Sequence, residues 1–529
     1  MNRKKESFIG GAMALLASSI IVKLLGALFK IPLTNLIGDS GMGLFAFAMQ
    51  FFSLLFVVAA AGLPVAEAHL VSESLALGDR ARARSIVKHA ILVFGALALV
   101  LSAALAGFSP LLCSLLGEQD AVWCVIAIAP AVFFVTIEAA LRGWYQGTGN
   151  MVPTAVSQVA EAVGKLVIGL ILAKKMLDTG YGIAGASVGA VIGVTCGELL
   201  AMSYLIWSAR RGIRHVLHRQ IGQASALPQL FQLMVPVTLG AAVMTVSGFL
   251  DMAVIYRRLP AAGFSAAEIV AAYGAYTGMA MTLFNLPQAL SNSVSVSVLP
   301  ALSAAHACRN TRQERRLVTS SMRLTLLVCV PCGVGLFVFA GPLLRALFAS
   351  QPRGVQTAQP LLQLLGIAEP LVGLSAIATA VLQSFGRPDL TVYSMAIACT
   401  AKFAVSFSLA AQPEINILAT PIGTLVCYSI MLVFNFISIV RLMHWRPPLF
   451  RSVLRPLAAS VGMVIPAWIL EQRLEQMMQL TPAVFLSIVA AIPLYLALLL
   501  IFHAINAEDI RPLPGGQYMI RIFRLKDYD

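Results

Sequence analysis

Charge is what this chain has least of. Only 11% of its 529 residues are Asp, Glu, Lys or Arg, whereas 59% are hydrophobic. No segment is polar enough to solvate a globular surface, so a soluble domain is excluded. Other absences narrow the function. There is no G-x-x-x-x-G-K-[ST], which excludes a P-loop nucleotide site. There is no H-E-x-x-H, and the seven histidines lie mainly near loops; no metal-ligating set is expected. Membrane enzymes that assemble glycans usually need a large region outside the bilayer. Here the outer loops hold about a dozen residues or fewer, so an enzyme is not expected. The eight cysteines are scattered, mostly in apolar stretches. Cys329 and Cys332 form a C-x-x-C around Pro331, but inside an apolar span they read as small core residues.

What is present is apolar length. Stretches able to cross a bilayer fall at 8–36, 42–74, 89–116, 120–146, 152–173, 182–209, 228–256, 269–304, 322–347, 357–384, 390–411, 416–440, 453–471 and 481–505. A crossing needs about 20 apolar residues, and unsatisfied backbone cannot face lipid. The expected fold is therefore an all-α polytopic membrane protein of about 14 transmembrane helices. The basic N-terminus precedes an apolar run too long for a secretion signal, so it reads as the first span.

The formal net charge of +14 reports orientation rather than nucleic-acid binding. Of the 37 Lys and Arg, 26 lie at the N-terminus, in the even-to-odd loops and in the C-terminal tail; 7 lie on the other side and 4 within spans. The positive-inside rule then makes both termini cytoplasmic.

A weak internal repeat is visible. Gln146, Gly149 and Thr154 recur as Gln383, Gly386 and Thr391, at a constant offset of 237. A Leu-Pro pair recurs at Leu63-Pro64 and Leu286-Pro287. Two six-helix lobes are expected, 1–215 and 216–445, with 446–529 adding two helices and a tail. Six is even, so the lobes would be related by an axis along the membrane normal, with the substrate path between them.

Ionisable residues within spans are costly unless they line a cavity or find partners. Ser19, Lys23, Gly26 and Lys30 fall on one stripe of the first span. Two cations on one face suggest an anion path; the alternatives are an ion pair for Lys23 and snorkelling for Lys30. Asn285, Gln288, Asn292 and Ser295 form an uncharged stripe beside Pro287 in the eighth span, reading as cavity wall or as interhelical hydrogen bonding. Glu161 and Lys165, like Glu138 and Arg142, stand at the favourable i, i+4 spacing. Asp251, Glu369 and Lys402 are further mid-span charges. Asp251 suits a cation site or a pair with Arg257 or Arg258; Lys402 suits a fixed internal cation beside a coupling ion, Na+ or H+. No other cofactor is expected.

The segment Arg142-Gly143-Trp144-Tyr145-Gln146-Gly147-Thr148-Gly149-Asn150-Met151-Val152-Pro153-Thr154-Ala155 resembles a helix corner of the polysaccharide-biosynthesis flippases, in the stage V sporulation protein B-like branch. These are relatives of MurJ-type lipid II flippases in the multidrug/oligosaccharidyl-lipid/polysaccharide exporter superfamily. Ser157-Gln158-Val159, Lys23-Leu24-Leu25-Gly26, Gly62-Leu63-Pro64 and Gly386-Arg387-Pro388 are similar to the same branch. The resemblance implies two lobes around a cavity, alternating access, and an undecaprenyl-diphosphate-linked sugar as cargo. It places the chain in the bacterial plasma membrane, in contact with lipids and with wall-synthesis proteins; a monomer is expected because the cavity would lie within one chain. Basic residues of helices 1, 2 and 8 line the cavity in lipid II flippases. Only helix 1 matches here, through Lys23 and Lys30; helix 2 has Glu67 and His69, and helix 8 has amides. Two rivals follow: a cation or multidrug antiporter of the same superfamily, and a non-transporting scaffold for wall-synthesis enzymes.

Overall fold

The computed structural model describes residues 2–213, 227–445, 449–502 and 504. Its elements are helices, and no strand occurs among the described residues. Thirteen helical segments among them are long and apolar enough to cross a membrane. The chain is a multi-pass, all-α membrane protein.

The first compact unit comprises Met1–Gly278 with Ala410–Ile417. It contains α1 (Asn2–Ala60), α2 (Leu63–Ala76), α3 (Arg80–Leu116), α4 (Val122–Gly147), α5 (Val152–Asp178), α6 (Gly182–Ile213), α7 (Leu227–Arg258) and α8 (Ala266–Gly274). Helix α1 continues past the length of one crossing because two helices are joined at Gly38, which takes φ 74° and ψ −179°. Glycine adopts that conformation without a Cβ clash. The break falls between the expected spans 8–36 and 42–74. The second of these is itself interrupted near Gly62, where Leu63 and Pro64 open α2; proline's missing N–H costs nothing in a first turn.

The first unit extends beyond residue 215, where the sequence suggested a boundary, because α7 packs into it. Leu230 and Met234 are buried with Leu63, Leu70, Ile86 and Phe94. Phe231 meets Phe94 at 5.2 Å, and Phe249 meets Phe51 at 5.4 Å between ring centroids.

The stretch read as one span at 269–304 is not a continuous α-helix. Helix α8 gives way to π-helical turns at Ala275–Ala280, and α9 (Met281–Ala307) follows. A Cβ at Gly274 would collide with the Asp39 carbonyl, and one at Gly43 with the Val270 carbonyl. Helices α1 and α8 therefore cross backbone to backbone.

The second unit comprises Met279–Leu409 with Leu418–Asp529. It contains α9, α10 (Thr311–Val338), α11 (Ala340–Leu347), α12 (Pro352–Ser384), α13 (Pro388–Leu409), α14 (Ala419–Met443), α15 (Leu449–Glu475) and α16 (Leu480–Ile501). Leu302, Met322, Leu326, Ile377, Val381 and Ile439 form one core. A second core ties α15 and α16 to Phe339, and Tyr495 Oη donates to the Leu327 carbonyl at 2.9 Å.

The repeat extends into hydrogen bonding. Gly149 N donates to Gln146 O at 3.0 Å and Asn150 N to Tyr145 O at 3.0 Å. At the offset of 237, Gly386 N donates to Gln383 O at 3.1 Å and Arg387 N to Leu382 O at 3.0 Å. Both glycines are left-handed, φ 79° and 69°, as this kind of helix ending requires. Ser157 Oγ donates to Thr154 O, and its counterpart Ser394 Oγ to Thr391 O. The same offset carries Lys165 onto Lys402 and the start of α6 onto the start of α14. The α4–α5–α6 and α12–α13–α14 trios thus share one register.

Candidate functional site

The lysine stripe of α1 lies on an open face. Ser19 and Lys23 are exposed, a Cβ on Gly26 would meet nothing within 4 Å, and Lys30 is half-buried. Other residues of α1 hold it to α5. Ser18 Oγ donates to Gln158 Oε1 at 3.0 Å, and buried Phe29 packs on Gly169. Lys30 Nζ donates to the Thr277 carbonyl at 3.4 Å, within the π-helical turns. Lys165 stands over the Phe29 ring at 5.7 Å, near enough to Lys30 for their charges to interact. Among the described residues no carboxylate pairs with Lys23 or Lys30.

The uncharged stripe of the eighth span is divided. Asn285 is exposed and Gln288 half-buried on α9, while Ser295 turns inward and donates to the Ser291 carbonyl. The Asn292 side chain lies outside the described residues. Asp251 is buried on α7 of the first unit and Lys402 on α13 of the second. Glu67 is fully buried against Gly143, whereas His69 is exposed. An apolar cavity of about 410 Å³ in the second unit runs past Leu286, Pro331, Met463, Ala491 and Tyr495.

The strongest charge constellation lies on α4, α5 and α6. Arg142 Nη2 reaches Glu138 Oε2 at 2.7 Å, the expected i, i+4 pair. It also reaches Glu161 Oε2 at 3.0 Å, and Nε donates to Ser157 Oγ at 3.1 Å. Glu161 therefore pairs across helices with Arg142 and not with Lys165 one turn along, because Lys165 is drawn to Phe29. Glu198 of α6 completes the group: oxygens of Glu138, Glu161 and Glu198 all lie within 4.8 Å of one another. Three carboxylates so placed can hold a cation, contrary to the expectation of no such set. Glu198 was not among the residues singled out by sequence pattern. Its signal was present, a carboxylate in the middle of the apolar run of α6.

A second polar recess of about 480 Å³ lies at the α3–α4 turn, lined by Ser40, Glu118, Gln119, Asp120 and Ala266. Glu118 is only 5% exposed. Burial, reinforced by the neighbouring Asp120 charge, pushes its carboxyl up to about 7.

Comparison with known proteins identifies the family. Residues 8–306 match the family model described as polysaccharide biosynthesis protein, and 236–407 match the MatE model. The first match spans more than half of the sequence: the chain belongs to the polysaccharide biosynthesis protein family. Among curated proteins it is similar to a stage V sporulation protein and to a lipid II flippase. It is 27% identical over 530 residues to Stage V sporulation protein B of Bacillus subtilis (strain 168), covering 98% of this chain and 100% of that protein. It is 24% identical over 460 residues to Lipid II flippase MurJ of the same organism, covering 82% and 83%. The solved structure of Lipid II flippase MurJ in an inward closed conformation has a TM-score of 0.73 at 17% identity, covering 94% of this chain and 99% of that one. That likeness shows the fold.

Proposed function

We propose that this chain is a flippase. It carries an undecaprenyl-diphosphate-linked sugar, lipid II or a related glycan lipid, from the inner to the outer leaflet by alternating access. The observation that carries the reading is the open face of α1, where Lys23 and Lys30 stand within a membrane span without a carboxylate partner among the described residues. A diphosphate supplies the missing counter-charge, and the polar side chains Asn285 and Gln288 on α9 suit sugar hydroxyls. Lys165 joins this set through its position beside Lys30, whereas Glu161, expected beside it, is held by Arg142. The apolar cavity beside α15 and α16 suits a prenyl chain.

With two crossings in α1–α2, broken at Gly38, the chain makes fourteen crossings and keeps both termini in the cytoplasm. The inside-negative potential then favours outward movement of an anion by about 2.3 kcal/mol per charge per 100 mV. A cation of the MatE type couples to the cycle; Asp251 and Lys402 are candidate groups for it. An exporter of cationic drugs is the second reading, favoured by the MatE match at 236–407. The lysines of α1 would repel its cargo.

The test is rescue of a strain depleted of its lipid II flippase. Wild type should restore growth, and Lys23→Gln at equal membrane abundance should not. In vesicles, Lys23→Gln should lower the flipping rate about tenfold or more, a loss of about 1.4 kcal/mol of barrier stabilisation. Full rescue by Lys23→Gln removes the cationic path. Failure of the wild type itself removes lipid II as cargo.

A further inference from the structure

We propose that Glu138, Glu161 and Glu198 form an exchangeable monovalent-cation site within the first unit, where Na+ replaces one of the protons held at rest. Charge counting leads there. Three carboxylates and one guanidinium leave two negative charges in a segment that crosses the membrane, and such charges must be neutralised. Glu138 is fully buried and Glu198 is 4% exposed. Both Glu138 oxygens and Glu198 Oε2 lack a hydrogen-bond donor among the described residues. Arg142 lies beside Glu138 without aiming an N–H along the contact. Oxygens of all three carboxylates lie within 4.8 Å of one another, and like charges held that close out of water call for protons or a cation between them. With Arg142 and one shared proton counted, one negative charge remains. A second proton or one monovalent ion neutralises it, and carboxylate oxygens are the hard donors that Na+ prefers.

The second unit supplies the control. At the offset of 237, Glu138, Arg142, Glu161 and Glu198 correspond to Ser375, Thr379, Ala398 and Asn435. Asn435 is fully buried, and its Nδ2 donates to Thr379 Oγ1 at 3.3 Å, where Glu198 and Arg142 stand in the first unit. These four positions therefore hold the second unit's junction without charge, although Glu369 and Lys402 are buried elsewhere in the same trio. Close packing at this register does not by itself require the carboxylates of the first unit. The glycines that bring α5 and α6 together seat the site: a Cβ at Gly197 would lie 2.7 Å from the Glu161 carbonyl. Charges on the elements packed around it include Glu67 of α2, seated on Gly143, and Lys165, one turn beyond Glu161.

This site deepens the transporter reading by assigning the coupling ion to these carboxylates in place of Asp251 and Lys402, but its binding is measured without lipid. The full-length protein in detergent, weakly buffered with a pH dye, is titrated with NaCl against KCl while 22Na+ binding is followed. Wild type should bind Na+ saturably and release about one proton per ion, since the ligands must shed protons to bind it. Glu138→Gln and Glu198→Gln should each weaken Na+ binding about tenfold or more, that is by about 1.4 kcal/mol. A graft of the second unit's residues, Glu138→Ser with Arg142→Thr, Glu161→Ala and Glu198→Asn, should keep the thermal unfolding midpoint and abolish Na+ binding. Absence of saturable Na+ binding in the wild type overturns the proposal. So does unchanged affinity in the folded graft or, should the graft not fold, in the near-isosteric Glu198→Gln. A protein that binds Na+ at these residues but flips no lipid would overturn the flippase reading alone; lipid flipping without Na+ binding would overturn this one alone.

Discussion

Glu118 shows how far a single residue can be read. Its carboxyl, at the turn between α3 and α4, is raised from 4.5 to about 7 by burial first and by Asp120 second. The folded protein therefore keeps a proton that the unfolded chain has released between those two values. The stabilisation is fully present below the unfolded value and is lost as pH rises through the folded one. Thermal unfolding in detergent should show a midpoint that falls between pH 5 and pH 8, and Glu118→Gln should flatten that slope. An identical slope in the variant would mean that another group titrates. Glu118 stood in a short loop with nothing in its spacing to mark it; only the fold shuts it in. The lysines of α1 were legible for the opposite reason. A cation inside an apolar span is an exception wherever it occurs, and helical spacing alone puts Lys23 and Lys30 on one stripe. Glu198 met the same criterion, but its significance depends on Glu138 and Glu161, which reach it from other helices.

At the scale of elements, the α5–α6 crossing is where small changes should matter most. A Cβ on Gly193 would strike the Gly169 backbone, and one on Gly189 would lie 2.8 Å from the Leu172 carbonyl. Gly193→Ala should force these helices apart and cost about 1–3 kcal/mol, as overpacking does. Gly240 on α7 has nothing within 4 Å of a Cβ, so Gly240→Ala should keep or slightly raise stability through helix propensity. Unfolding midpoints of the two variants, side by side, decide whether packing or propensity governs these glycines. Equal losses would count against the close approach. Helix positions were readable from apolar length, and so was the interruption near Gly38. The π-helical turns at Ala275–Ala280 were not. Hydropathy has the same sign for α and π turns, and these turns follow directly on the backbone contact of α8 with α1, about 230 residues earlier in the sequence.

Over the whole molecule, a repeat first marked by Gln, Gly and Thr extends through hydrogen bonds to Lys165 and Lys402. The limit of the first unit was less legible, because α7 joins it through Leu230, Met234, Phe231 and Phe249, apolar residues that would suit either lobe. Orientation rests on charge placement, and one native residue can test it. Cys308, in the turn between α9 and α10, is exposed, while the other seven cysteines are buried or half-buried. If the basic loops face the cytoplasm, a membrane-impermeant maleimide should leave Cys308 unlabelled in intact cells and label it in inverted vesicles, with Cys308→Ser as the control. Labelling from outside would reverse the chain. The inside-negative potential, worth about 2.3 kcal/mol per charge per 100 mV, would act on a given substrate charge as before. But α1 would then place Lys30 nearer the cytoplasm than Lys23. A diphosphate leaving the cell would meet these cations in the opposite order, and the proposed outward route along α1 would no longer hold.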